Sequence, residues 1–185
     1  MASDEASARL VEPVGNRDHA QGPADAPVTL VEYGDYESPH CGRAYPIVKD
    51  VQRRLGKQLR FVFRNFPLAN LHPHAEHAAE AAEAAASQEH FWEMHDALFE
   101  HQHALDDGHL ASYAATIGID RVRFERELSS HAHAARVRED FLSGVRSGVN
   151  GTPTFFINGV RYEDSWDPDT LTDALKAAAG TRTPT

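Results

Sequence analysis

The sequence predicts an α/β fold in which a mixed central sheet is flanked by helices, with a helical insertion between a βαβ half and a ββα half. Three observations support this prediction. A strand, a helix and a second strand follow one another early in the chain. A long stretch with only helical patterns comes next, and a hairpin followed by a helix ends the folded part. The length of 185 residues suits one such domain.

The βαβ half begins with residues 28–33, which are rich in β-branched and aromatic side chains and predict a buried strand. A helix is predicted over residues 39–55, with a proline in its first turn and Gly56 as its C-cap. Residues 59–64 predict the second strand, with alternate apolar side chains on one face. A strand, helix and strand in this order form a parallel pair with a right-handed crossover.

The helical insertion covers residues from about 70 to 148, where no segment has the pattern of a strand. Apolar side chains recur there at helical spacing, with short breaks between the predicted helices. These helices cover residues 74–86, 91–101, 107–116, 120–129 and a further stretch to 147.

The ββα half starts at a hairpin. Residues 154–157 and 160–162 predict two short strands, and the Asn158-Gly159 pair between them is the strongest short hairpin signal available. Asp167 then predicts the N-cap of a last helix, which we expect to end before Gly180.

Residues 1–26 are small, polar and interrupted by proline and glycine, so we expect a loosely held N-terminal arm. Residues 27–185 are predicted to form a single domain. The first 21 residues lack the basic start and apolar stretch of a signal peptide. We therefore expect a cytoplasmic protein, or a periplasmic one from which the signal has been removed.

The composition argues against two classes of partner. With 28 acidic and 18 basic residues the formal charge is −10, and no basic block could follow a phosphate backbone, so nucleic acid is not expected. No apolar run approaches the roughly 20 residues that span a bilayer, so membrane insertion is not expected either. The single cysteine rules out an internal disulfide.

That cysteine, Cys41, belongs to the segment Ser38-Pro39-His40-Cys41, which lies between the first predicted strand and helix. The segment has the form of a redox Cys-x-x-Cys motif whose first cysteine is serine. Such motifs use a helix N-terminus because its dipole and free N–H groups stabilise the thiolate that attacks a disulfide. A protonated histidine at the place of His40 adds positive charge.

From Val28 to about Ala179 the chain resembles the DsbA family of thioredoxin-like thiol:disulfide oxidoreductases. Residues 38–41 resemble the family's Cys-Pro-His-Cys, and residues 151–159 resemble its cis-proline strand and hairpin. Glu32, six residues before the motif, matches the family's buried acidic residue. The resemblance implies a thioredoxin-like fold and an activity on protein or peptide thiols and disulfides, with no cofactor.

The resemblance also implies a role for each site residue. Ser38 takes the place of the attacking cysteine, and Pro39 and His40 follow it at the helix N-terminus. Cys41 is the resolving thiol and Glu32 a proton relay. The substrate-holding edge is formed by Thr152 and Pro153, with the bond between them cis.

Ser38 has three explanations. It is an engineered replacement, a natural loss of dithiol chemistry, or part of a serine-based activity resembling that of kappa-class glutathione transferases. In each case a protonated hydroxyl cannot perform redox exchange. The third explanation predicts glutathione binding between Ser38 and Thr152. A separate hypothesis from another class is a polypeptide-binding module that uses the cis-proline groove without redox turnover.

Two further features have simple alternatives. Glu32 could pair with a lysine such as Lys57 and play no part in proton transfer. The 12 histidines, among them His74 and His77 near Glu80, lie in polar surface stretches without a metal-binding motif, so no metal site is predicted.

Overall fold

A five-stranded mixed sheet runs through the centre of the protein, and its strands lie in the order β1-β3-β2-β4-β5. The computed structural model describes residues 8–181. The strands are β1 (His19–Gln21), β2 (Val28–Gly34), β3 (Leu59–Asn65), β4 (Thr154–Ile157) and β5 (Val160–Tyr162). The helices are α1 (Pro39–Leu55), α2 (Ala75–Ala86), α3 (Phe91–Glu100), α4 (Asp107–Ile117), α5 (Arg121–Ser129), α6 (Ala134–Arg146) and α7 (Pro168–Gly180).

The predicted α/β architecture is confirmed. Strands β2 and β3 are parallel and joined through α1, helices α2 to α6 form the insertion, and β4, β5 and α7 complete the sheet and its cover. In the β4–β5 turn, Asn158 and Gly159 have φ values of 48° and 81°. A two-residue turn with positive φ at both positions matches the right-handed twist of the strands, which is why this dipeptide marked the hairpin.

Two apolar clusters lie on opposite faces of the sheet. Leu30 belongs to the larger one, which includes side chains of α1, α3 and α7, and the neighbouring Val31 belongs to the smaller one, which Phe141 of α6 helps to cover. Successive side chains of a strand point to opposite faces, so the largely apolar sequence of β2 reflects burial on both sides. No helix within residues 8–181 is long and apolar enough to cross a membrane.

The expectation of a loosely held arm over residues 1–26 is wrong for its described part. Strand β1 pairs antiparallel with β3 at the sheet edge. The buried Arg64 side chain binds Asp18 at 2.8 Å and donates to the carbonyl oxygens of Glu12 and Pro13. The segment is polar because it makes hydrogen bonds and ion pairs with the sheet. Residues 1–7 of the predicted arm, and 182–185 of the predicted domain, lie outside the described residues.

Candidate active site

The candidate site lies where the C-terminal end of β2 meets the first turn of α1 and the start of β4. The antiparallel register pairs Glu32 with Phe155 and Tyr33 with Thr154. Continued by two residues, this register brings Thr152 and Pro153 to the end of β2, beside the beginning of α1. The sheet therefore brings together residues more than 100 positions apart in the chain.

Ser38 is the N-cap of α1. Its backbone is extended, with φ −69° and ψ 125°, and its Oγ accepts a hydrogen bond from the Cys41 backbone N–H at 3.3 Å. Pro39 follows as the first helical residue, where its missing N–H costs nothing. The Ser38 side chain thus occupies the place where a thiolate would receive the helix dipole and a backbone N–H.

Cys41 is completely buried, and its thiol stays protonated at neutral pH. Burial is the main cause that raises its pKa to about 12, and the nearby Glu32 carboxyl raises it further. A hydrogen bond from the Asp35 backbone N–H, 3.5 Å from the sulfur, and the nearby side chains of Thr152 and Ser38 act in the opposite direction. Their effect is too small to produce a thiolate.

Glu32 is buried in the middle of the sheet with 2% of its surface exposed. Burial raises the pKa of its carboxyl to about 8. Its Oε1 atom makes no hydrogen bond, and Glu32 forms no ion pair with any residue between 8 and 181, Lys57 included. At neutral pH Glu32 is therefore mostly a neutral acid, close enough to Cys41 to influence the pKa of its thiol.

His40 and Pro39 are exposed at the start of α1. The Arg43 guanidinium, one turn further along the helix, donates a hydrogen bond to His40 Nδ1. Arg43 thus places a permanent cation next to the histidine. The sequence analysis missed it because an exposed arginine in a helix carries no distinguishing signal.

The Thr152–Pro153 peptide bond is cis, and both residues are half-buried. The side chains of Thr152 and Ser38 both lie near the Cys41 sulfur, since both lower the pKa of that thiol. All the residues that the sequence analysis assigned to the site, namely Glu32, Ser38, Pro39, His40, Cys41, Thr152 and Pro153, thus lie around one point.

Two further residues, which the sequence analysis did not assign to the site, hold the segment before α1. The buried Asp35 carboxylate accepts from the backbone N–H groups of Glu37 at 2.8 Å and Leu68 at 2.9 Å, and contacts His72 Nδ1 at 2.7 Å. An acidic residue directly after a strand could have been noticed as such an anchor.

Gln102, in the loop after α3, is the second residue that holds the segment before α1. Its Nε2 donates to the carbonyl oxygens of Tyr36 and Ser38, both at 2.9 Å. A Cβ atom on Gly42 would lie 2.1 Å from Gln102 Oε1, so the absence of a side chain at Gly42 admits this contact. Nothing in the local sequence indicates the role of Gln102, because it acts 64 residues away from Ser38.

The sequence matches the thioredoxin family over residues 15–177, and the chain belongs to this family. Two similar solved structures have the same fold. BdbD from Bacillus subtilis has a TM-score of 0.83 and 24% identity over 94% of this chain and 99% of its own. A thioredoxin-like oxidoreductase from Silicibacter pomeroyi has a TM-score of 0.79 and 25% identity, covering 91% of this chain and 95% of its own. Together, the family match and these likenesses define a thioredoxin-family scaffold.

Curated relatives with higher identity are much longer proteins. The Na⁺/H⁺ antiporter NhaA 1 of Salinispora arenicola is 46% identical over 175 residues, which are 94% of this chain and 27% of that protein. NhaA 1 of Mycobacterium sp. (strain KMS) is 44% identical over 171 residues, 91% of this chain and 28% of that protein. The chain spans about a quarter of the length of these relatives.

Proposed function

We propose that this domain is a thiol:disulfide oxidoreductase scaffold for protein or small-molecule thiols whose dithiol exchange is absent or severely impaired. One observation carries the proposal. The Ser38 hydroxyl occupies the N-cap of α1, 3.3 Å from the Cys41 backbone nitrogen, while Cys41 is buried with a pKa raised to about 12 by that burial. Exchange needs a thiolate that can reach its target, and neither residue supplies one.

The surroundings retain what such a reaction would need. With a cysteine at position 38, the helix N-terminus and Arg43 would favour its thiolate. That thiolate would attack one sulfur of the substrate disulfide, so that the substrate S–S bond breaks, the other substrate sulfur is released as a thiolate and a mixed disulfide forms. Cys41 would then give its proton to Glu32, in the fraction of molecules in which that carboxyl is ionised, and attack the sulfur at position 38. A bond between the two protein sulfurs forms, the bond to the substrate breaks, and the substrate leaves as a thiolate.

The test is insulin reduction by dithiothreitol in the presence of the parental protein and of Ser38→Cys. We expect activity to appear only in Ser38→Cys, with Ser38→Ala as the matched control that removes the hydroxyl without adding sulfur. If the cysteine variant folds and has no activity above that of Ser38→Ala, the site does not support exchange and the proposal is wrong.

A polypeptide-binding module is the second candidate, favoured by the half-buried Thr152 and Pro153 beside Ser38. A backbone edge there can hold an extended substrate without any sulfur chemistry. This candidate predicts that the parental protein and Ser38→Cys suppress the aggregation of an unfolded protein equally. Suppression by neither form would exclude it.

The serine-based alternative predicts a different ligand. In it the Ser38 hydroxyl would donate a hydrogen bond to the thiolate of glutathione, with Thr152 on the other side of the ligand. Calorimetry with millimolar glutathione tests it: binding that is lost in Ser38→Ala supports this alternative, and the absence of binding excludes it.

A further inference from the structure

Two histidines and a buried carboxylate meet on the surface of the helical insertion, away from the candidate active site. His77 and Glu80 lie one turn apart on α2, and His131 lies in the turn between α5 and α6. One ligand atom from each of the three lies within 4.8 Å of the other two. Folding thus brings together donors that are 51 residues apart in the chain.

Within the described chain, the buried Glu80 carboxyl group has His131 as its partner and no arginine or lysine. The Glu80 side chain is 7% exposed, and its two oxygens contact His131 Nδ1 at 3.0 and 3.3 Å. A buried carboxylate usually has a cationic or metal partner, because burying it alone is costly.

The two imidazole rings lie next to each other, and a further carboxylate is near. The ring centroids of His77 and His131 are 5.5 Å apart. His77 Nδ1 contacts Oδ1 of Asp107, the first residue of α4, at 2.5 Å. A single cation placed between the two rings and the carboxylates could take one donor atom from each of them.

We propose that His77, Glu80 and His131, with Asp107 as a fourth donor, bind a divalent transition metal ion such as Zn²⁺. Two imidazole nitrogens and one or two carboxylates are a donor set that zinc accepts in tetrahedral geometry. With metal–donor bonds of about 2.0–2.2 Å, the donors of a tetrahedral site lie about 3.3–3.6 Å apart. The His131–Glu80 and His77–Asp107 pairs, at 3.0 and 2.5 Å, would therefore have to separate to admit the ion, and the more distant donors would have to approach one another. His131 and Asp107, whose side chains are 63% and 73% exposed, are free to make that movement.

The site is accessible and would join three parts of the insertion. It opens into a surface depression that His74, Glu76 and Asp106 also line. A bound ion would attach two segments, the α5–α6 turn and the start of α4, to helix α2. Because metal binds the folded state only, this joint would stabilise the domain against unfolding.

Calorimetry with ZnCl₂ tests the proposal on the full chain, without a histidine tag and after treatment with a chelator. We expect one site per chain with a micromolar or tighter Kd, and a rise in the melting temperature. His77→Ala and His131→Gly should each weaken binding more than about tenfold. Glycine is chosen because His131 has a φ of 54°, which glycine adopts freely.

His109→Ala is the matched control, because His109 is another exposed histidine paired with one carboxylate, that of Asp106 at 2.5 Å. Its affinity for Zn²⁺ should equal that of the parental protein. Far-ultraviolet circular dichroism verifies that each variant is folded, and if His77→Ala is not, the exposed His131→Gly decides the matter. An unchanged melting temperature with zinc, or equal affinities in His131→Gly and His109→Ala, would overturn the proposal.

Discussion

The Ser38 hydroxyl accepts a hydrogen bond from the Cys41 backbone N–H at the first turn of α1. In a working thiol site, the same N–H and the helix dipole would stabilise a thiolate. Under the proposed function, the protein keeps the electrostatic half of a redox site and lacks the sulfur that would use it.

The first prediction concerns the accessibility of Cys41. Its thiol is buried, and burial raises its pKa to about 12, so the native protein should react with dithionitrobenzoate at pH 8 at least about a thousandfold more slowly than free cysteine. Absorbance of the released thiolate measures the rate. Denaturation in guanidinium should release one reactive thiol per chain, and complete labelling of the native protein within seconds would contradict the prediction.

The second prediction concerns Glu32 and pH. Burial raises the carboxyl pKa from an ordinary 4.5 to about 8 in the folded protein. Between these values the folded state keeps a proton that the unfolded state has lost. The contribution of Glu32 to stability is thus complete below pH 4.5 and decreases, by up to about 1.4 kcal/mol per pH unit, until the pH reaches about 8.

Glu32→Gln removes this titration. From pH 5 to 8 the parental free energy of unfolding, measured in urea, should fall relative to that of the variant. Glu12→Gln is a control, because that carboxyl is exposed. Parallel curves for the parental protein and Glu32→Gln would show that Glu32 is ionised in the folded state.

The third prediction concerns Arg64, which attaches the N-terminal segment to β3. Its side chain is 2% exposed and binds Asp18, which is 8% exposed. Arg64→Met leaves the Asp18 carboxylate buried and unpaired, and should lower the free energy of unfolding by about 3–5 kcal/mol. Adding Asp18→Asn should recover part of that loss.

Arg17→Met is the matched control. Its ion pair with Glu139 is exposed, so its removal should cost less than about 1 kcal/mol. Equal effects of Arg64→Met and Arg17→Met in urea unfolding would mean that residues 8–26 contribute little to stability.

The fourth prediction concerns Gln102. Gln102→Ala removes the donor to the Tyr36 and Ser38 carbonyl oxygens and should lower the free energy of unfolding by about 1–3 kcal/mol. In the Ser38→Cys background it should also raise the pKa of the new thiol, because the segment before α1 is held less firmly. Gln52→Ala, which removes a hydrogen bond to Gln21 elsewhere on α1, should leave that pKa unchanged. Equal thiol pKa values in all three proteins would limit Gln102 to a structural role.

Most of the fold was predictable because its signals are local. The β-branched run of β2, the Gly56 cap of α1 and the Asn158-Gly159 turn each predict a structure within a few residues. Strand β1 was missed for the opposite reason. It has three residues, none of them a strong strand former, and it is held by pairing with β3 some 40 residues away.

The position of the candidate site was also predictable in part, because its central motif is local. Residues 38–41 follow a recognisable strand, so the motif could be located from sequence. Arg43 and Gln102 could not be assigned to it, because their contributions come from contacts that the fold creates. Asp35 could have been noticed as an anchor after the strand, but its contacts with Leu68 and His72 could not. The same holds for His131, whose proximity to Glu80 depends on the packing of α2 against the α5–α6 turn.

Disulfide formation in Ser38→Cys tests the central claim most directly. After incubation with oxidised glutathione and gel filtration, mass spectrometry under native conditions should show the loss of two hydrogens, and alkylation should find no free thiol. Ser38→Cys/Cys41→Ala should instead retain one bound glutathione. If Ser38→Cys remains fully reduced, or keeps glutathione without closing a bond to Cys41, then position 38 is not the attacking position of a thiol site.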